Sequence, residues 1–142
     1  MIFREATLED GLAVLADLRE AQCLTLNKLK LDPEALLRRA MNGSRAMAVI
    51  IDGKPAAVFG VVSSSLIGLA KIWLITTPAV EREPVAFLRN SKAFTRALFE
   101  EHGMLIGTVD KDFPKSRRWL EWLGFVPFRE GDITIMRYSG GH

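Results

Sequence analysis

The sequence predicts an α+β domain whose elements follow the order βααβββαβαββ. Three observations carry that prediction. Asp52-Gly53 joins two apolar runs as a tight hairpin, and Val85 to His102 keeps helical spacing over a long stretch closed by Gly103. Phe125 to Arg129 and Asp132 to Tyr138 then flank a second turn at Glu130-Gly131.

Taken in order, Ile2 to Ala6 reads as a short first strand. Thr7 opens a helix as its cap, with Glu9 and Asp10 suited to the positive helix start. Leu8, Leu12, Leu15, Ala16 and Leu18 hold helical spacing to about Gln22. Asp32-Pro33-Glu34 is a second start signal, with a cap, a proline at the first helical position and an acid in the first turn. Leu36, Leu37 and Ala40 supply its apolar side, and Gly43 is the expected stop.

Arg45 to Ile51 and Ala56 to Val62 are the strands of the first hairpin, because a type I′ turn needs positive φ at both central residues. Ser63-Ser64-Ser65 and Gly68 mark a turn before the strand Ala70 to Thr76. Trp73 and Ile75 should face one side of it, and Ile72 and Leu74 the other, as in a strand covered on both faces. In the long helix, Phe87, Phe94 and Leu98 are expected on one face, flanked by Leu88 and Phe99. Met104 to Val109 is a strand, and Ser116 to Leu123 a short helix stopped by Gly124. No linker, repeat or low-complexity segment interrupts this order, so one domain over residues 1–142 is expected.

Composition excludes more than it assigns. The 142 residues are 49% apolar and 25% charged, which rules out disorder and a collagen-like repeat. Lys and Arg number 19 against 17 Asp and Glu, and a surplus of two charges does not argue for nucleic acid. Cys23 is the single cysteine, so no intramolecular disulfide can form, and its setting among Leu18, Ala21 and Leu24 predicts a buried thiol. A nucleophilic Cys23 would need a base nearby, and His102 and His142 are remote in sequence. Two histidines and one cysteine without ligand spacing give no metal site. Met1-Ile2-Phe3-Arg4-Glu5 becomes charged too early for a signal peptide, and no apolar run reaches the roughly 18 residues of a membrane span. A cytosolic origin is expected.

The order of elements resembles the GNAT superfamily of acyl-CoA-dependent N-acyltransferases, a three-layer fold with a mixed central sheet. Its best local piece is Ser116-Arg117-Arg118-Trp119-Leu120-Glu121-Trp122-Leu123-Gly124-Phe125, similar to the short helix that ends in Leu-Gly-Phe in that superfamily. The resemblance implies an acyl-CoA site, and the residues for it are absent. GNAT enzymes hold the CoA pyrophosphate on a glycine-bearing loop before the long helix, where backbone N–H groups approach the phosphates. Here that segment is Thr77-Pro78-Ala79-Val80-Glu81-Arg82-Glu83-Pro84, and no glycine occurs between Gly68 and Gly103. Pro84 has no N–H and restricts Glu83, while Glu81 and Glu83 put negative charge where a pyrophosphate would sit and suit the helix start themselves. Leu120 stands where many of these enzymes carry a tyrosine as general acid, and the only tyrosine, Tyr138, ends the last strand. For a general base, Asp110 and Asp112 lie past the fifth strand's end and could reach a cleft, and solvated loop acids or caps are the preferred explanation of both.

A narrower pattern also stands in the chain. Trp73 followed by Thr76, then Phe87-Leu88-Arg89 and Ser91-Lys92-Ala93-Phe94, then Ser116, Trp119-Leu120 and Leu123-Gly124 is similar to small GNAT-like phage proteins that include an internal virion protein of short-tailed phages. The similarity runs from Lys71 to Arg129. It implies a non-catalytic role in the internal core, ejection apparatus or assembly of a virion, in the host cytoplasm and then in the particle. The implied partners are other virion or assembly proteins, a homo-oligomer included. Acetyl-CoA enters as a cofactor only under the alternative of a divergent N-acyltransferase.

The candidate interaction residues are surface cations. Arg89, Lys92 and Arg96 share one stripe of the long helix, since offsets of three and seven keep them on one side. Lys111, Lys115, Arg117 and Arg118 form a second cluster beside the short helix. Either can meet an acidic protein or packaged DNA, or stand as a solvated face. Aromatic interleaving of the kind that stacks bases is absent from both clusters along the sequence. Trp122 joins the candidates on the condition that it is exposed.

Overall fold

The structure, a computed structural model, describes residues 1–18, 23, 27, 30, 32–42, 46–64, 69–112 and 114–140, without the side chains of 63, 64, 69 and 115. Among the described residues eleven elements follow the expected order, with one short 3-10 helix added. They are β1 (Ile2–Glu5), α1 (Leu8–Ala16), α2 (Pro33–Met41), β2 (Ala46–Ile51), β3 (Lys54–Ser64), β4 (Leu69–Thr76), the 3-10 helix Pro78–Arg82, α3 (Pro84–His102), β5 (Leu105–Asp110), α4 (Pro114–Leu123), β6 (Phe125–Arg129) and β7 (Ile133–Tyr138). The chain packs as two compact units: Met1–Val62 with Trp73–Pro84, and Ser63–Ile72 with Val85–His142.

In the first unit the strand order is β1-β2-β3-β4. β1 pairs antiparallel with β2 from Ile2↔Ile50 to Glu5↔Met47. β2 turns into β3 at Asp52 and Gly53, whose φ values of 53° and 77° are the two positive angles that the turn requires. Val14, Ala46, Ala48, Ile50 and Val58 form the core, with Met41, Trp73 and Ile75 packed against it. Trp73 and Ile75 thus share one face of β4, as their period of two predicts. α1 and α2 meet at Gly11, where a Cβ would lie 2.7 Å from Leu37 Cδ2.

The start of α1 is tied down by one network. Thr7 accepts from the Asp10 N–H at 3.2 Å, and Asp10 accepts from the Thr7 N–H at 2.9 Å, closing a capping box. Arg4 on β1 donates to both Asp10 oxygens at 2.7 and 2.9 Å. Asp10 is therefore buried and satisfied, where the sequence reading gave it only a dipole role. The helix ends at Ala16 with Asp17 as its cap, short of the expected Gln22, because the Asp17 N–H turns back to the Val14 carbonyl. Residues 19–22, and the expected stop at Gly43, lie outside the described residues; α2 closes earlier, at Met41, with the Asn42 N–H donated to Arg38. Cys23 is half-buried and not enclosed as predicted, with its thiol 3.6 Å from the Leu18 carbonyl.

In the second unit the order is β4-β5-β7-β6. The first part of β4 pairs parallel with β5 at Ala70↔Leu105 and Lys71↔Ile106, and the remaining pairs are antiparallel. The sheet is therefore mixed, as expected. Gly124 takes φ +111° and accepts from the Ser139 N–H at 2.9 Å, so the helix stop also anchors the end of β7. The buried stripe of α3 is Phe87, Ser91, Thr95 and Leu98, a correction to the apolar face predicted through Phe94, which is half-buried. Thr95 fits that stripe because it donates its hydroxyl to the Ser91 carbonyl at 2.7 Å, whereas the buried Ser91 hydroxyl has no partner among the described residues. Tyr138 packs between Phe99 and Phe125, with ring centroids 4.8 and 5.5 Å away.

Arg4 first, then the Thr7 backbone and side chain, hold the Asp10 carboxyl below the usual carboxylate range, against desolvation pushing it up. A depressed folded pKa stabilises the protein above the unfolded value, and that contribution is lost as pH falls through the folded one. Urea midpoints followed from neutral to about pH 2 should fall more for the wild type than for Asp10→Asn, with the two converging at the acid end. Thr7→Ala should lower stability by about 1 kcal/mol at pH 7.

Candidate functional site

α4 is placed by what its inner side chains fill. Leu120 and Leu123 are buried, and β5 makes room for Leu120 by carrying Gly107 beneath it. Leu120 Cδ1 and Ile72 Cγ2 each lie 3.3 Å from where a Cβ on Gly107 would stand. Trp119 stacks on Phe87 of α3 at 5.8 Å between centroids and 17° between planes. With these three side chains turned inward, the helical period turns Trp122 outward, and 54% of it is exposed. The condition set for Trp122 is met.

Its neighbour is Lys92, whose Nζ lies 4.9 Å from the centre of the Trp122 ring, a cation–π contact. Arg89, Lys92 and Arg96 line one groove with Trp122, and Val85, Leu88 and Ala93 supply the rest of its lining. The groove has a volume of about 590 Å³, within the range of ligand and peptide sites. Among the described residues, none of the three cations has a carboxylate partner. On α3 itself Glu100 and Glu101 are the only acids, so Arg89 and Lys92 have no acid within a turn, while Glu100 stands at ion-pair spacing from Arg96 without an ion pair to it. The aromatic ring that the linear sequence did not place in this cluster is thus supplied by Trp122, from thirty residues away.

The second cluster is arranged differently. Arg117 donates to both oxygens of Glu130 at 3.0 and 2.7 Å, and Thr134 also donates to Glu130. This bidentate pair raises the Arg117 pKa and lowers that of Glu130. Lys111 reaches Asp132 at 2.9 Å. Both cations are thereby bound to the β6–β7 hairpin instead of forming an open patch. Arg118 is exposed, and the Lys115 side chain lies outside the described residues.

The segment before α3 does not fit a pyrophosphate. It folds as the 3-10 helix Pro78–Arg82, capped by Thr77, whose hydroxyl donates to the Ala56 carbonyl at 3.1 Å and accepts from the Ala79 N–H at 3.3 Å. The N–H groups of Thr77, Val80 and Glu83 are also donated, to Ala56, Thr77 and Val80. Pro78 and Pro84 have none to give. Arg82 turns to Asp52, 3.7 Å away. Glu83 caps the 3-10 helix and the first turn of α3 contains no acid, which corrects the expectation that these glutamates satisfy the α3 dipole.

Tyr138 is enclosed by aromatic rings, and Leu120 is core. Asp110 is buried at the end of β5, where it accepts from the Asp112 N–H at 3.0 Å in a turn. Among the described residues no group of His, Cys, Asp and Glu forms a metal site, and no helix is long and apolar enough to cross a membrane.

The comparisons agree with this topology. The GNAT domain of S. lividans PAT matches with a TM-score of 0.73 at 13% identity, over 96% of this chain and 88% of that one. The PaiA N-acetyltransferase from Thermoplasma acidophilum, in complex with coenzyme A, matches with 0.71 at 14% identity, over 96% and 97%. The ribosomal-protein-alanine N-acetyltransferase from Brucella melitensis matches with 0.65 at 14% identity, over 96% and 98%. The chain has the GNAT fold. No family model and no curated protein matches its sequence.

Leu120→Tyr, which restores the ring at the position of the general acid in many GNAT enzymes, should overpack against Gly107. We expect a loss of about 1–3 kcal/mol in urea unfolding and no gain of acetyl transfer. Trp122→Phe should remove the component of tryptophan emission most readily quenched by acrylamide, leaving that of Trp73 and Trp119.

Proposed function

We propose that the chain is a GNAT-fold protein without acyl-transfer chemistry, which acts by binding a macromolecular partner in the internal core or assembly of a phage particle. The observation that carries the first part is the Thr77–Pro84 segment, where the N–H groups of Thr77, Ala79, Val80 and Glu83 are committed to its own turn and to Ala56. A phosphate there would meet two prolines and two glutamates in place of a glycine-lined nest. Leu120 supports it further, because a leucine has no proton to give a departing thiolate. The Trp73 to Gly124 pattern, similar to small GNAT-like phage proteins, supports the setting: host cytoplasm first, then the virion.

The alternative, a divergent N-acyltransferase, is favoured by the likeness to a fold that in the Thermoplasma protein holds coenzyme A. Thermal unfolding with acetyl-CoA separates the two. A ligand present at about a hundred times its dissociation constant adds about 2.7 kcal/mol of stability. We expect no saturable rise in Tm, and a clear one would overturn the non-catalytic reading. Mass spectrometry of purified particles tests the setting, where the chain should be present at a fixed number of copies. Its absence from the particles would remove the virion role.

A further inference from the structure

We infer that the groove between α3 and α4 is a docking site for an acidic amphipathic helix of a partner protein. The inference rests on the proposed binding role and names the chemistry of the partner.

The lining is of two kinds. Val85, Leu88, Ala93 and Trp122 offer hydrocarbon and an aromatic ring, with Val85 67% exposed and Trp122 54% exposed. Arg89, Lys92 and Arg96 supply positive charge. Among the described residues no carboxylate shares the groove, and its one neutral hydrogen-bonding group is the Trp122 indole N–H. An occupant must therefore be apolar on one side and anionic beside it.

The cations stand at i, i+3 and i+7, which places them along about 10 Å of one helix side. A second helix laid along the groove presents its carboxylates with that same period, while its apolar stripe covers Val85 and Leu88. Charge complementarity of this kind sets partner choice and association rate. Single-stranded nucleic acid fits less well. The Lys92 ammonium already lies over the Trp122 ring that a base would stack on, and the Trp122 indole N–H is the one neutral polar group among the lining side chains to meet a base edge. A second copy of the chain also fits poorly, because its described helices lack a free acidic stripe. Asp10 of α1 is held by Arg4, and Glu34 of α2 is held by Arg38 at 2.9 Å.

The test titrates the full chain into a fluorescein-labelled helical peptide of about 18 residues, with leucines on one face and glutamates at i, i+3 and i+7 beside them. A scrambled peptide of equal composition and a single-stranded oligothymidylate are run alongside. We expect saturable binding of the patterned peptide that weakens with added salt. It should weaken about tenfold or more in R89E/R96E and in Trp122→Ala, with unchanged circular dichroism and Tm. Equal binding of the scrambled peptide, tighter binding of the oligonucleotide, or no saturable binding of the patterned peptide would each overturn the inference. Acetyl-CoA added to the same chain separates the two proposals. Failure of the peptide without a response to acetyl-CoA removes the docking site alone, whereas stabilisation by acetyl-CoA removes the binding-only reading beneath it.

Discussion

The seating of Leu120 over Gly107 is the contact that orders the unit carrying α3 and α4. β5 gives up a side chain at Gly107, and Leu120 and Ile72 fill the space from α4 and β4. Once Leu120 and Leu123 are committed to the core, the helical period leaves no choice about the rest of α4. Trp119 comes against Phe87, and Trp122 comes out beside Lys92. One packing decision therefore has two consequences. The position that holds an acid in many GNAT enzymes is filled with hydrocarbon, and an aromatic ring is delivered to a cationic helix face.

Electrostatic pairing follows a similar division. Arg4, Arg38, Arg82, Lys111 and Arg117 each stand within ion-pair distance of a carboxylate. Surface pairs of this kind contribute little each, and salt screens them, so their importance lies in where they leave charge uncompensated. Among the described residues, the stripe of Arg89, Lys92 and Arg96 is left so. A net charge of +2 says nothing about partners when spread over a surface. Three cations on one side of one helix, next to apolar side chains, do define a recognition chemistry.

How much of this was legible in the sequence depended on the range of the interaction. Local devices could be read directly: Thr7 with an acid three residues on, Asp52-Gly53 in its hairpin, and Gly124 after the short helix. Each acts within a few residues and needs only its own backbone. The cation stripe on α3 was legible for the same reason. What escaped depended on contacts across the fold. Lys92 and Trp122 are thirty positions apart, and Arg117 and Glu130 thirteen, so no spacing announces either pair. The buried Thr95 ran against hydrophobic patterning, because a hydroxyl that returns its proton to the preceding turn behaves as a core residue.

The likeness to acetyltransferases extends to the fold alone, because the fold and the site draw on different residues. The fold needs the mixed sheet, the helix that Leu120 and Leu123 anchor, and the glycine after it, and all are present. An acyl-CoA site needs open N–H groups before α3 and a proton donor near the thiolate. The first requirement is opposed by Thr77, which turns its own hydroxyl and N–H into a closed cap on Ala56. The second is opposed by the same leucine that stabilises the domain. Introducing either feature would therefore disturb packing that the fold uses, and a fold likeness at 13–14% identity carries no activity with it.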